Sequence, residues 1–476
     1  MKKFKRMCNL FILSAIIAFV IPVSSPMNLI TVKAEEQKPA TTITKKILYV
    51  GKESYRIKFR NLSSRATVTY KSSNNAIAMV TSKGIIKPIA AGKATITITV
   101  NQNGKKYSCR IAVTVQVKSD SAQYEDSTII NWKDSAIENY IRKVLGKPTA
   151  NITVKDVKEI NRIELNSAFV NSLEDLKYFT NLEGIYIVNG EGNELSDISS
   201  LKELIKLKSI MLFNCSITDV SSLKGLKELY SLALSGGQIS NFSFVKELPR
   251  LSWLALSDMK ISDPSTLKEC TQLTRLELID TQITDISVLQ ELTNLNTLYL
   301  GGNQISDISS LEKLTNLTTL VLYGNQISDI SALRELTNLR TLELQSNQIS
   351  DISILKKFDK LYWLNLANNQ IKDISSLKGK KDLYWLNLNS NQISDISNLK
   401  DSTKLTYLQL SCNKIINISS LKGLTDLESL ELNDNLISDI SSLEGLTNLT
   451  RLRLSGNKIN DWSPVDQISN VDGRPF

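Results

Sequence analysis

The 476-residue chain contains no histidine. That absence removes serine and cysteine nucleophiles activated by imidazole, and it removes the commonest transition-metal ligand. Carboxylate pairs could still perform acid-base chemistry, but no spacing singles one out, so the sequence implies no catalytic residue, no metal site and no cofactor. Cysteine is scarce, with five residues in all. Cys8 lies in the N-terminal leader, Cys109 stands alone in its segment, and Cys215, Cys270 and Cys412 are separated by tens of residues. Long apolar runs are missing beyond the first 34 residues, so no later segment reads as a membrane span.

What the chain does have begins with a leader. Lys2, Lys3, Lys5 and Arg6 precede an apolar run over 10–23, and Val32-Lys33-Ala34 forms a small-residue cleavage site. This is the pattern of a secretion signal over 1–34, with too few apolar residues to span a bilayer comfortably. Its removal takes away five basic and no acidic side chains, so the formal charge falls from +9 to +4. The residual basicity gives no reason to expect nucleic acid, and contact with a membrane is expected only through the leader.

Residues 93–100, KATITITV, and 107–117, YSCRIAVTVQV, alternate apolar and polar side chains across an Asn-Gly turn, the pattern of a β-hairpin. Shorter runs at 47–50, 66–70 and 85–88 complete an all-β sandwich over 41–118, with Cys109 facing inward beside Tyr107, Ile111, Val113 and Val115. The stretch VTYKSSNNAIAMVTSKGIIKPIAAGKATITI, through Ser72-Ser73-Asn74 and Ala91-Gly92-Lys93-Ala94, resembles the bacterial Ig-like domain of group 2. Residues 119–158 are read as a linker followed by a helical cap. Ile137, Tyr140, Ile141, Val144 and Leu145 form the apolar stripe of a helix stopped by Gly146 and Pro148, and Thr153 with Asp156 forms a capping box for a second helix over 154–160.

From residue 205 to 468 the chain repeats every 22 residues around the phrase L-x-x-L-x-L-x-x-N-x-I-x-D-I-S-x-L. A fixed period of this length with recurring leucines predicts a leucine-rich repeat solenoid, a right-handed curved superhelix with a parallel sheet on its concave face and short helical turns on its convex face. The array is placed at 159–468, with a tail at 469–476. Leucines such as Leu295, Leu298 and Leu300 point inward, and Asn303 and its equivalents turn in to bond backbone groups, amide stacked on amide. Asp307, Asp329, Asp351, Asp373 and Asp395 are read as caps of the return turns rather than calcium ligands. In the first four full repeats Cys215, Gly237, Met259 and Thr281 replace the asparagine, so this half is expected to be less regular. Neighbouring strands about 4.8 Å apart would keep Cys215 and Cys270 beyond disulfide reach, and four free cysteines are expected after cleavage.

The 22-residue length, the N-x-I-x-D-I-S-x-L return and the run WKDSAIENYIRKVLGKPTANITVKDV resemble the internalin family of bacterial surface proteins. That resemblance implies a non-enzymatic recognition protein of a Gram-positive bacterium, with host surface proteins as partners. The family usually continues into an Ig-like cap and an L-P-x-T-G sorting motif, which this sequence does not show. Release into the medium is therefore the expectation, with surface retention through the Ig-like domain as the alternative.

Outward strand positions supply the candidate site. Trp363, Trp385 and Tyr407 occupy the third position of consecutive repeats, with Tyr362 and Tyr384 beside them, and Trp253, Tyr299, Tyr323 and Phe213 lie elsewhere on the same face. Charges of both signs, among them Arg275, Glu277, Arg340, Glu343, Glu428, Glu431, Arg451 and Arg453, surround an aromatic centre. Such a face suits a protein partner. A glycan or cell-wall ligand stacked on the aromatics is the alternative, and a purely structural spacer the third reading.

Overall fold

The computed structural model describes residues 38–50, 54–116, 124–190, 192–193, 195–239, 242–468 and 470–474. The proposed secretion signal lies outside them. The chain divides into two compact units, residues 1–118 and 119–476.

The first unit is all β. Its long hairpin pairs Gly92–Gln102 with Lys105–Gln116 around a two-residue Asn103-Gly104 turn, both at positive φ, as the right-handed twist of a tight hairpin demands. Lys45–Tyr49 and Thr67–Ser72 flank it in a four-stranded sheet, and Ile85–Pro88 belongs to a three-stranded one. Strands at Ala40–Thr41, Tyr55–Arg56, Phe59–Arg60 and Ala78–Val80 were not legible in the sequence, being too short to show alternation. Ile96, Ile98, Val100, Ile111, Val113 and Val115 form the core, and Cys109 packs at its edge.

In the second unit, helix α1 (Ser135–Leu145) is capped by Asp134, whose carboxylate accepts from the N–H groups of Ala136 and Ile137, and it ends at Gly146 in the left-handed region. Ile137 and Ile141 are buried, whereas Val144, assigned above to the same stripe, is 52% exposed because the helix is covered along a narrower face. Helix α2 is shorter than expected, Val154–Val157. The Asp156 carboxylate accepts from Thr153 N–H at 2.8 Å and from its hydroxyl at 3.0 Å.

Fifteen parallel strands follow in chain order, from Arg162–Ala168 to Val471–Asp472, each in register with the next apart from a shift between Asn166 and Ala168 in the first pair. The period lengthens once, where Gly184 pairs with Ser209. Leu295, Leu298 and Leu300 are fully buried, as are their equivalents, in one continuous core from Ile130 to Ile468. Each return is a short 3-10 turn such as Ser309–Leu311. Asp307, Asp329, Asp351, Asp373 and Asp395 each accept from the N–H two residues on, the first of the turn, which has no partner within it.

The asparagine row is satisfied by backbone, not by stacked amides. Asn325 Nδ2 donates to Leu300 O at 2.9 Å and Leu322 O at 3.0 Å, and its Oδ1 accepts from Ile305 N at 3.0 Å, so each asparagine ties its own repeat to the one before. The early repeats depart from the later ones, as expected, and the departure is in strand length. Ser231–Ser235, Trp253–Ser257 and Arg275–Ile279 are five residues long, against three for each strand from Thr297–Tyr299 to Arg451–Arg453. Where the asparagine is missing, backbone pairing continues further, as between Ser235, Ser257 and Ile279. Gly237, at φ 79°, leaves no room for a side chain, since a Cβ there would lie 2.2 Å from Ile217 O. The supposed tail contributes the last strand: Val471–Asp472 pairs with Arg451–Arg453, and Asn470 O and Asp472 O accept from Leu452 N and Leu454 N.

Acid should weaken this unit. Asp156 is held down to about 2, first by its hydrogen bond to Lys147 and then by the Thr153 backbone, and the serine amides hold Asp197, Asp285, Asp351 and Asp395 below the ordinary 3.8. A carboxyl whose folded pKa is depressed contributes stability that is present above its unfolded value and is lost as pH falls toward the folded one. Asp175, raised by burial, acts in the opposite sense and offsets part of the loss. Urea midpoints are expected to be level above about pH 5 and to fall from about pH 4 downward. A midpoint unchanged between pH 5 and pH 2.5 would show that these hydrogen bonds contribute nothing net.

Candidate binding face

In a parallel in-register sheet, side chains at the same position of successive repeats stand one strand spacing apart, close to the stacking distance of aromatic rings. Trp363 pairs with Trp385, and Trp385 with Tyr407. The two indoles stack with centroids 4.1 Å apart and planes within 5°. Tyr362 and Tyr384, one residue ahead, stack at 4.9 Å and 1°. Tyr407 departs from the single strip expected. Its ring meets Tyr384 edge-on at 5.5 Å and 70°, because its hydroxyl reaches Glu428 Oε2 at 3.2 Å and so carries the ring toward the tyrosine column. The hydrogen bond with Tyr384, followed by that with Glu428, raises the Tyr407 pKa above 10.0.

The five aromatics form two stacked columns, with Tyr407 in backbone register with Trp385 but its ring continuing the tyrosine column. Tyr362 is 47% exposed and the others are half-buried, while the Trp363 Nε1 donor has no partner among the described residues. Asn365, Asn387 and Gln409 stand in register two residues on and add a row of amides beside the indoles. Sequence reasoning passed over this row; reading the fifth position of these three repeats together would have found it.

Trp253 and Tyr299 belong to a different cluster. The Arg275 guanidinium lies 4.8 Å from the Trp253 ring and 5.4 Å from the Tyr299 ring, between them along the sheet. Arg275 Nε and Trp253 Nε1 both donate to Glu277 Oε1, at 2.5 and 2.8 Å. This cluster satisfies itself internally. Tyr323 stands apart from both. Its ring covers Gly301, where an added Cβ would lie 2.3 Å from it, and burial raises its hydroxyl pKa. Phe213 packs edge-on against Tyr186 at 6.0 Å.

Behind the patch the core changes character. In the column that carries Leu314, Leu336 and Phe358, the next two repeats place Lys380 and Ser402, both buried. Lys380 Nζ donates to Lys356 O at 3.0 Å and Asp359 Oδ1 at 3.1 Å, whereas Ser402 Oγ has no partner among the described residues. Cys109, Cys215, Cys270 and Cys412 are free thiols, and burial pushes those of Cys215 and Cys270 up to about 11, which leaves them protonated and unreactive at neutral pH. Among the described residues no helix is long and apolar enough to cross a membrane.

Comparisons with known proteins agree with this geometry. Models of the leucine-rich repeat match residues 293–335, 337–379 and 403–459, and the model of the bacterial Ig-like domain of group 2 matches residues 41–111. No curated protein matches the chain. Among solved structures, an internalin (inlF) from Listeria monocytogenes is 34% identical, with 72% of this chain and 96% of that one covered and a TM-score of 0.57. A leucine-rich repeat protein of Leptospira interrogans is 25% identical over 67% of this chain and 85% of its own, with a TM-score of 0.60. The functional domain of InlJ from Listeria monocytogenes, described as including a cysteine ladder, is 18% identical over 72% and 79%, with a TM-score of 0.57, and shares the fold. With its fifteen-stranded solenoid, helical cap and separate Ig-like unit, the chain belongs to the internalin family of leucine-rich repeat proteins.

Proposed function

We propose that this is a secreted, non-enzymatic recognition protein that binds a protein partner through its concave face, with Tyr362, Trp363, Tyr384, Trp385 and Tyr407 at the centre of contact. The observation that carries the reading is the patch itself. Two stacked aromatic columns stand at adjacent positions of the same repeats, partly exposed, and the buried indole donor of Trp363 is unpaired. Leaving such surface in water is unfavourable, and rigid aromatic side chains are the groups that dominate protein interfaces. Amides beside the rings and the acidic Glu428 supply the polar margin expected of a protein contact. The family likeness makes a host surface protein the natural candidate, and adhesion is one use of such binding rather than a consequence of the fold.

The test is capture from a cell-surface extract by the immobilised full chain. Capture should disappear after protease treatment of the extract and survive removal of its glycans. The opposite pattern would replace the protein reading with a glycan one.

A further inference from the structure

The N-terminal end of the concave sheet holds a second feature. Along the third strand position, Arg162, Gly184, Ser209, Ser231 and Trp253 stand in register. Three small residues in succession, between two large ones, leave a notch of about 310 Å³ where the outward side chains elsewhere fill the space. Tyr186, Tyr230 and Trp253 line it, and Tyr230 is 50% exposed. Ser231 lies on its floor at 1% exposure, and its hydroxyl has no partner among the described residues. A buried hydroxyl without a partner is unfavourable, and most such groups are found bonded to protein, water or ligand.

The surroundings limit what fits. Lys208 Nζ is paired with Glu183 Oε2 at 2.8 Å, and Arg162 is paired with Glu164, so the charges at the rim already compensate one another. A charged occupant would have no free counter-charge to meet. Aromatic walls favour a flat apolar body, and the one buried unpaired hydroxyl, that of Ser231, favours a polar tip. Trp253 is held in place by Arg275 and Glu277, so the wall is formed before anything binds.

We propose that this notch is a subsite for a tyrosine side chain of the protein partner, with the phenol hydroxyl bonded to Ser231 Oγ. This rests on the reading of the concave face as a protein-binding surface, but it can be tested without the partner. N-acetyl-L-tyrosinamide is titrated into the full chain and followed by saturation-transfer NMR, beside N-acetyl-L-phenylalaninamide and N-acetylglucosamine. Saturable binding of the tyrosine amide is expected, about fivefold or more tighter than that of the phenylalanine amide, since the lost hydrogen bond is the difference. Ser231→Ala should close that gap, and Ser209→Leu, which fills the notch from an outward position, should abolish binding of both. The pair Trp363→Ala and Trp385→Ala should leave it unchanged. Absence of saturable binding, equal affinity for the two amides, persistence in Ser209→Leu, or binding of the sugar instead would each overturn the assignment. Failure here with partner capture intact would leave the concave-face reading standing. The reverse result, with the amide bound and capture absent, would remove that reading and leave the notch.

Discussion

A chain carrying Trp363→Ala and Trp385→Ala together is expected to lose partner capture by at least about 100-fold while remaining folded. Truncating a central aromatic contact costs roughly 2 kcal/mol or more of binding free energy, and the two indoles form a single contact surface. The same stack also holds the sheet, at about 0.5 to 1.5 kcal/mol beyond area burial, so melting should fall by a few degrees. This separates the two roles. If capture weakens only in proportion to the small loss of stability, the stack serves the sheet and the contact lies elsewhere. Binding of the double variant within about threefold of wild type, measured by surface plasmon resonance on the captured partner, would sink the proposal. Trp253→Ala provides a comparison. It opens the Arg275 cluster and one wall of the notch, at a distance from the patch.

Asn347→Ala should be among the most destabilising single changes in the repeats, at about 3 to 5 kcal/mol. The side chain donates to Leu322 O at 2.9 Å and Leu344 O at 3.1 Å and accepts from Ile327 N at 3.0 Å, all within the core. Its loss strands three buried backbone groups, each worth roughly 1 to 3 kcal/mol, with entering water recovering part. Its exposed neighbour Gln348, changed to alanine, should stay within about 0.5 kcal/mol of wild type. Because repeats are stabilised chiefly by their neighbours, the damage should appear first around Ile327 and Leu344 in hydrogen exchange, ahead of global unfolding in urea. Uniform protection in the variant would contradict the role given to the row.

The repeat architecture was legible because its determinants recur. Inward leucines, inward asparagines and turn-forming aspartates each occupy one column, and a column speaks for every repeat at once. The aromatic patch was legible as a column too, since register alone brings Trp363 beside Trp385. What the pattern missed lies where side chains of different repeats compete. Tyr407 follows Glu428 from the next repeat, and Trp253 is drawn into a cluster by Arg275 and Glu277. Lys380 and Ser402 were visible in the leucine column, yet only packing shows that both are buried. The last strand has no leucine phrase, and its pairing rests on backbone groups, which carry no sequence signature.

By itself, then, the sequence determined the solenoid, its period, its inward and outward faces, and the exclusion of imidazole chemistry. These follow from which residue types recur at which spacing, and a parallel sheet converts spacing directly into position. The tertiary structure decided how the outward side chains share the concave surface: two aromatic columns, the tyrosine one extended by Tyr407, a self-satisfied arginine cluster, and a notch over three small residues. Those arrangements depend on torsions and hydrogen bonds between neighbouring repeats, which no single repeat encodes.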